Sequence, residues 1–342
     1  MLAASHPFGR YLMASSFIRR CAGMTLFIVT SAACAAQPVS REAASAYPSK
    51  PVRLLMGPAA GGPTDAIGRV LATRLNEMWK QPVIIENRPG AGNTIATAAA
   101  AHATPDGYTL LFCPISDAVA PSLYRKLPYD FFRDITPIAH VGATPNIFVV
   151  PPSSPAKTMK DFIALAKASP GKLNYGGQGI GQSGHLSMEL LRQMTGINVV
   201  YIPYKSVGLV VTDLFAGRLD AQITNLPAHV ENVRTGKVRA LGVTSAKRSP
   251  RLPEVPAIAE TVPGFDVTVW YGVCAPTGVP KPVVQEIAND FAEALKTPDV
   301  RKRLEDLGVD VHYMPPAEFA AYFRSEAAKW AKVVKTAGIQ GQ

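Results

Sequence analysis

Two glycine-rich stretches carry the residues whose types and spacing admit chemistry. Gly179-Ile180-Gly181-Gln182-Ser183-Gly184 satisfies G-x-G-x-x-G and falls between an expected strand and an expected helix. A dinucleotide site also needs an acidic residue about twenty positions on, at the end of the next strand, for the ribose hydroxyl. Here that strand ends in Tyr204-Lys205-Ser206, without an acid, so the NAD reading is set aside. What survives is the attraction of a helix N-terminus for an anion. The second stretch is Gly57-Pro58-Ala59-Ala60-Gly61-Gly62-Pro63-Thr64-Asp65. Gly61 and Gly62 let backbone N–H groups reach a ligand without Cβ obstruction. Thr64 and Asp65 fit helix capping as well as they fit ligand contact.

Other chemistry is not supported. There is no G-x-x-x-x-G-K-[ST] phosphate loop and no G-x-S-x-G elbow. Beyond the first 36 residues the histidines are 102, 140, 185, 229 and 312, far apart and without the spacing of a zinc-binding helix. His185, one turn into the helix after the glycine-rich loop, fits a ligand contact or the packing of its own loop. Ser183 fits a ligand contact or an N-cap. No Ser/His/Asp grouping follows from spacing, so neither catalysis nor a cofactor or metal is expected.

The elements that position these turns alternate. Strands are expected at 51–56, 82–86 and 108–113, separated by helices at 63–80 and 93–103. Ile67, Val70, Leu71, Leu75 and Met78 recur at helical spacing, with Pro63 near the first helical position. After Val149-Val150-Pro151-Pro152 the pattern restarts: helix 158–169, strand 173–177, helix 183–195, strand 198–204, helix 207–217, strand 219–225, a short helix and strand 238–245. Residues 281–337 read as mostly helical. Strands joined through single helices imply parallel pairing and open α/β sheets. Two such halves with a helical tail predict a discontinuous arrangement, domain 1 over 50–148 plus 268–342 and domain 2 over 149–267. Two crossing segments then make a hinge, and ligands bind beyond the carboxyl ends of the strands.

The N-terminus reads as an export signal rather than as part of the fold. Arg19 and Arg20 precede the apolar run from Cys21 to Ala36, which ends in small residues and is short for a membrane span. Met13 is an alternative start, and cleavage after Ala35 or Ala36 fits. A lipobox around Cys34 lacks its large aliphatic residue, so a lipoprotein is the weaker reading. Residues 37–49 read as a tether. Loss of 1–36 removes three arginines and no acid, which lowers the net charge from +10 to +7. The remaining basic residues are scattered, against nucleic-acid binding and compatible with an anionic small ligand. Of four cysteines only Cys113 and Cys274 lie outside the leader, and either a disulfide or two buried thiols is possible for them.

At the strings AAGGPTD, ENRPGAGN, PDGYTLL, PSLYRKLPYD, KLNYGGQGIGQSGHL and TDLFAGRLDAQITNLP, and along nearly the whole of the rest, the chain resembles the Bug-type receptors of tripartite tricarboxylate transporters. The resemblance implies a periplasmic-binding-protein (Venus flytrap) fold, two open α/β domains closing on one small carboxylate. It implies a non-catalytic, monomeric, periplasmic receptor that delivers this ligand to integral-membrane transporter subunits. A sensor that signals to a membrane partner is the alternative. Carried over, ligand contacts fall to Ala59, Ala60, Gly61 and Gly62 in the first turn and to Gly177, Gly181, Gln182 and Ser183 in the second. Ser116 and Tyr204 become wall residues.

Departures from the family pattern bear on specificity. Pro58 stands where Phe is common, Ile180 and Gln182 where Asn and Thr are common, and Ser206-Val207-Gly208-Leu209 replaces Gly-Gly-Ala-Pro. The acidic residue usual before Asn-Leu-Pro is Thr224, although Asp117 is a candidate to replace its charge. Without that carboxylate a ligand ammonium loses its partner. The ligand is therefore predicted to lack an amino group. In calorimetry the deaminated acid should bind more tightly than the matching amino acid, and the reverse order would overturn the reading.

Overall fold

The computed structural model describes residues 47–339 apart from Ala59, Gln178 and Lys205. The expected leader and most of the tether lie outside the described residues. Strand β1 (Val52–Met56) reads VRLLM and is buried almost throughout, as a central strand must be. It pairs in parallel with β2 (Val83–Asn87) and β3 (Thr109–Pro114), with Val52 opposite Val83 and Arg53 opposite Thr109. The crossovers are α1 (Pro63–Trp79) and α2 (Thr94–Ala101). A second parallel set has β5 (Asn174–Gly177) between β6 (Val200–Pro203) and β7 (Ala221–Asn225). Its crossovers are α6 (Ser183–Thr195) and α7 (Val207–Phe215), numbered after α3 (Ser116–Leu123), α4 (Phe131–Asp134) and α5 (Met159–Ala168).

The strands that join the two sets correct the all-parallel expectation. β4 (Ile135–Val150), 16 residues long, and β9 (Thr268–Pro276) run antiparallel beside each other from Ile135 opposite Pro276 to Pro145 opposite Thr268. β9 also pairs antiparallel with β3, while the far end of β4 pairs antiparallel with β7 and with β8 (Arg239–Val243). Pro137, Gly142 and Pro145 hide β4 in the sequence, because proline withholds a ladder donor and glycine weakens a strand. The strand accommodates them with register shifts between Pro137 and Ala139 and between His140 and Gly142. The tail likewise contains a strand, β10 (Asp310–Met314), antiparallel to β4. Among the described residues all ten strands form one continuous sheet.

After the short α8 (Val230–Arg234), the tail contributes α9 (Lys281–Lys296), α10 (Pro298–Asp306) and α11 (Pro316–Ala337). Helix α11 packs on α3, β4 and α6. The Trp270 and Trp330 indole N–H groups both donate to buried Glu326 Oε2, each at 3.1 Å, which fastens α11 to β9. Gln193 Nε2 donates to Val333 O at 2.9 Å and ties α6 to the same helix. Cys113 and Cys274 are free, buried thiols on neighbouring strands, and burial raises the pKa of both.

Two close approaches set the turns described below. A Cβ at Gly184 would lie 2.2 Å from the Ile223 carbonyl oxygen, so α6 packs against β7 with no room for a methyl group. A Cβ at Gly57 would lie 1.6 Å from Asn93 Oδ1. Asn93 is itself held by a buried carboxylate: its Nδ2 donates to Asp117 Oδ2 at 2.6 Å, and Thr97 Oγ1 donates to Asp117 Oδ1 at 2.6 Å. Burial pushes the Asp117 pKa up to about 7, against the pull of those two donors.

Two outcomes follow. Gly184→Ala should lower unfolding free energy by about 2 kcal/mol in urea melts, because the clash is with backbone. The Asp117 carboxyl favours the folded state fully below about pH 4, and this contribution is lost as pH rises through 7, by at most ~4 kcal/mol. Asp117→Asn should flatten the fall in urea midpoint between pH 5 and pH 8; an unchanged slope would show that this carboxyl does not titrate there.

Candidate binding site

The carboxyl ends of the parallel strands open onto one cavity of about 570 Å³. Pro58, Pro63 and Thr64 line it from the β1–α1 turn, and Ser116 from the start of α3. Gly177, Gly181, Gln182 and Ser183 line it from the β5–α6 turn, and Thr224 lines it from β7. Thr144 of β4 with Val269 and Tyr271 of β9 also belong to the lining.

The two glycine-rich turns are built differently from their sequence reading in detail. Helix α1 begins at Pro63 with Gly62 as its extended N-cap, a residue with no side chain to cap with. Asp65 reaches back instead: its Oδ2 accepts the Gly61 N–H at 3.0 Å and the Arg69 Nε–H at 2.7 Å, and Asn87 donates to its Oδ1 at 3.0 Å. The Arg69 guanidinium, foremost among these, holds the Asp65 carboxyl below its ordinary range. In the second turn Gln182, not Ser183, is the N-cap, and it makes no side-chain cap bond. Ser183 is the first helical residue, and its hydroxyl donates to Asn146 Oδ1 on β4 at 3.3 Å. His185 Nδ1 accepts the Gly181 N–H at 3.2 Å, so this ring organises its own loop while also lining the cavity. Burial lowers its pKa.

The structure brings together Ser116, Gly177, Gly181, Gln182, Ser183 and Thr224. Ala60, Gly61 and Gly62 sit in the first turn between the lining residues Pro58 and Pro63 but do not themselves line the cavity, and Ala59 lies outside the described residues. Tyr204 also stands apart, because its hydroxyl donates to Asp213 Oδ2 at 2.7 Å. Asp117 does not supply a charge to the cavity: its carboxylate is fully buried against Asn93 and Thr97. Thr144, Tyr271 and Gln222 are lining residues that the sequence reading missed. The first two lie on strands it did not recognise. Gln222 was within reach, since it precedes Thr224 by two and strand alternation puts both on one face.

The electrostatics come from backbone. Among the described lining residues there is no Asp, Glu, Lys or Arg. Yet the first residues of four helices, Pro63 of α1, Ser116 of α3, Ser183 of α6 and Val207 of α7, all line the cavity, and none of these helices has a side-chain cap bond. Each helix start carries roughly half a positive charge together with unsatisfied N–H groups. The helix starts therefore offer anion donors without a lining cation, an arrangement suited to a small anion with apolar surface against Ile67, Ile115 and Val119. No group of His, Cys, Asp and Glu able to hold a metal occurs among the described residues.

Comparison with known proteins agrees with this geometry. The model of the tripartite tricarboxylate transporter family receptor matches residues 67–339. The R. palustris protein Rpa4515, solved with adipate, is 35% identical with a TM-score of 0.75, covering 86% of this chain and 99% of that one. The periplasmic binding protein BugD is 33% identical with a TM-score of 0.72, covering 86% of this chain and 100% of its own. MatC of Rhodopseudomonas palustris, solved with bound malate, is 31% identical with a TM-score of 0.70, covering 84% of this chain and 100% of its own. The fold is that of the periplasmic binding proteins. This chain belongs to the tripartite tricarboxylate transporter receptor family, whose members are periplasmic solute-binding receptors rather than enzymes.

Proposed function

We propose that the chain captures a small organic carboxylate in this cleft and delivers it to the membrane subunits of a tripartite tricarboxylate-type transporter. The observation that carries the reading is the convergence of four uncapped helix starts on a cavity without a charged side chain. Such a cavity holds a carboxylate through backbone N–H groups and returns it without breaking an ion pair. The adipate and malate bound by two relatives support the ligand class.

Residues 1–36 act as the export signal, and the mature receptor works as a periplasmic monomer. The parts 50–148 with 268–342 and 149–267 act as two domains, and β4 and β9 are the crossing segments between them. The open form exposes both turns. The ligand bridges Gly181, Gln182 and Ser183 on one side and Ser116 on the other, the Ala60–Gly62 turn reaching it only on closure, and so favours the closed form by its differential contacts. The closed surface is what the membrane subunits recognise. Thr224, in place of an acid, leaves an ammonium unpartnered, so the ligand carries none.

A thermal-shift screen of the mature protein against mono-, di- and tricarboxylates and amino acids tests this. A ligand at a hundred times its Kd adds about 2.7 kcal/mol and should raise Tm by about 5 °C or more. Carboxylates should shift the folded protein and amino acids should not. A folded protein that no carboxylate shifts would refute the ligand class.

A further inference from the structure

On the second wall of the cleft one side chain is set by a relay that starts at the backbone. Gln222 lies on β7 between two partner strands, opposite Gly176 of β5 and Val149 of β4, and is 1% exposed. Its side chain lines the cavity, and its Oε1 lies 2.8 Å from His229 Nε2. His229 is itself fully buried, and its Nδ1 lies 3.1 Å from Asn232 Nδ2. Asn232 Nδ2 in turn donates to the Ala228 carbonyl at 3.3 Å.

The chemistry of each contact fixes the next. A backbone carbonyl only accepts, so the Asn232 atom facing it is the amide nitrogen. That nitrogen only donates, so His229 Nδ1 accepts and carries no proton. A neutral ring protonated at Nε2 then donates to Gln222, whose facing atom must be the carbonyl oxygen. An imidazolium would turn a second N–H against the Asn232 amide. Burial agrees, pushing the His229 pKa down to about 4. The Gln222 carboxamide is thereby left with its NH₂ group to spare. Among the described residues no acceptor takes those protons. A donor left spare in the wall of a cleft is satisfied by an oxygen of whatever fills that cleft.

We infer that Gln222 is a specificity-determining residue, donating from its amide to an acceptor oxygen at the end of the ligand away from the starts of α1 and α3, and that His229 and Asn232 are the positioning residues that hold it so. This rests on the carboxylate reading of the cleft and extends it to the other end of the ligand. The wall offers donors through Gln222 and a neutral hydroxyl through Thr224, and no acid. A second carboxylate or a carbonyl fits there, while a methyl group wastes the donor and an ammonium opposes it.

Calorimetry with matched chains of four, six and eight carbons separates the possibilities, each chain bearing one carboxylate at one end and a carboxylate, a methyl group or an ammonium at the other. The native protein should bind the diacid at least about tenfold more tightly than the methyl-ended acid and reject the amino acid. Gln222→Leu should bring the diacid down to the methyl-ended acid while moving the latter by less than about twofold. Equal loss of both, or loss of neither, would overturn the assignment of Gln222. Native protein that binds several members without preferring the diacid would overturn it too while leaving the carboxylate reading intact, whereas native protein that binds none of the series would sink that reading and the inference with it. The positioning role has a ligand-free readout. Long-range proton–nitrogen spectra of the native protein should show His229 protonated at Nε2 only, unchanged from pH 8 to pH 6; an Nδ1-protonated ring or an imidazolium in that range refutes the relay.

Discussion

The site depends on helix starts left without caps. In most helices a Ser, Thr, Asp or Asn satisfies the first N–H groups, and this chain does so at Thr158 and Asp130, while α2 and α8 to α11 make no side-chain cap bond. At α1, α3, α6 and α7 it does not, and these are the four helices that begin at the cavity. The rest of the architecture serves to hold those starts in one place. Parallel strands deliver the chain to the same edge each time, and Gly57 and Gly184 allow contacts that any side chain would block. Asp65 stabilises the first turn from behind, through the Gly61 N–H, without entering the cavity.

The parts of this arrangement that were legible in the sequence are those where local chemistry and final structure agree. Both glycine-rich turns, the helix beginning at Pro63 and the parallel strands followed from apolar runs broken by glycine and proline. The antiparallel strands did not, since Pro137, Gly142 and Pro145 argue against a strand, and only the partners on either side of β4 override that argument. Within the site the failures are of the same kind. Tyr204 is drawn away by Asp213 from the adjoining helix, a contact nine residues distant that no spacing rule discloses. Ser183 is the first helical residue rather than the N-cap, and its hydroxyl goes to Asn146, on a strand that was not recognised. Thr224 was found by family pattern, whereas Gln222 required knowing which face of β7 is turned inward.

Enclosed polar groups here are of two kinds, carboxylates such as Asp65 that keep an ion pair and groups held only by neutral partners. Asp117 faces two donors under the first turn, and His140 gives its Nδ1 to the His312 carbonyl with burial lowering its pKa to about 4. His229 is likewise neutral between two amides. Buried polar groups that are neutral and directional cost less than buried ions and still impose one arrangement. This is how a wall can hold a defined pattern of donors without the field of a formal charge.

The charge-free lining has a consequence for proton traffic. Its one imidazole among the described residues, His185, accepts the Gly181 N–H through Nδ1, and burial lowers its pKa. Capture and release of an already ionised acid then involve no proton exchange with the walls. Asp117, beneath the first turn and next to the lining residue Ser116, is then the titrating group nearest the cavity, and it lies behind the wall rather than in it.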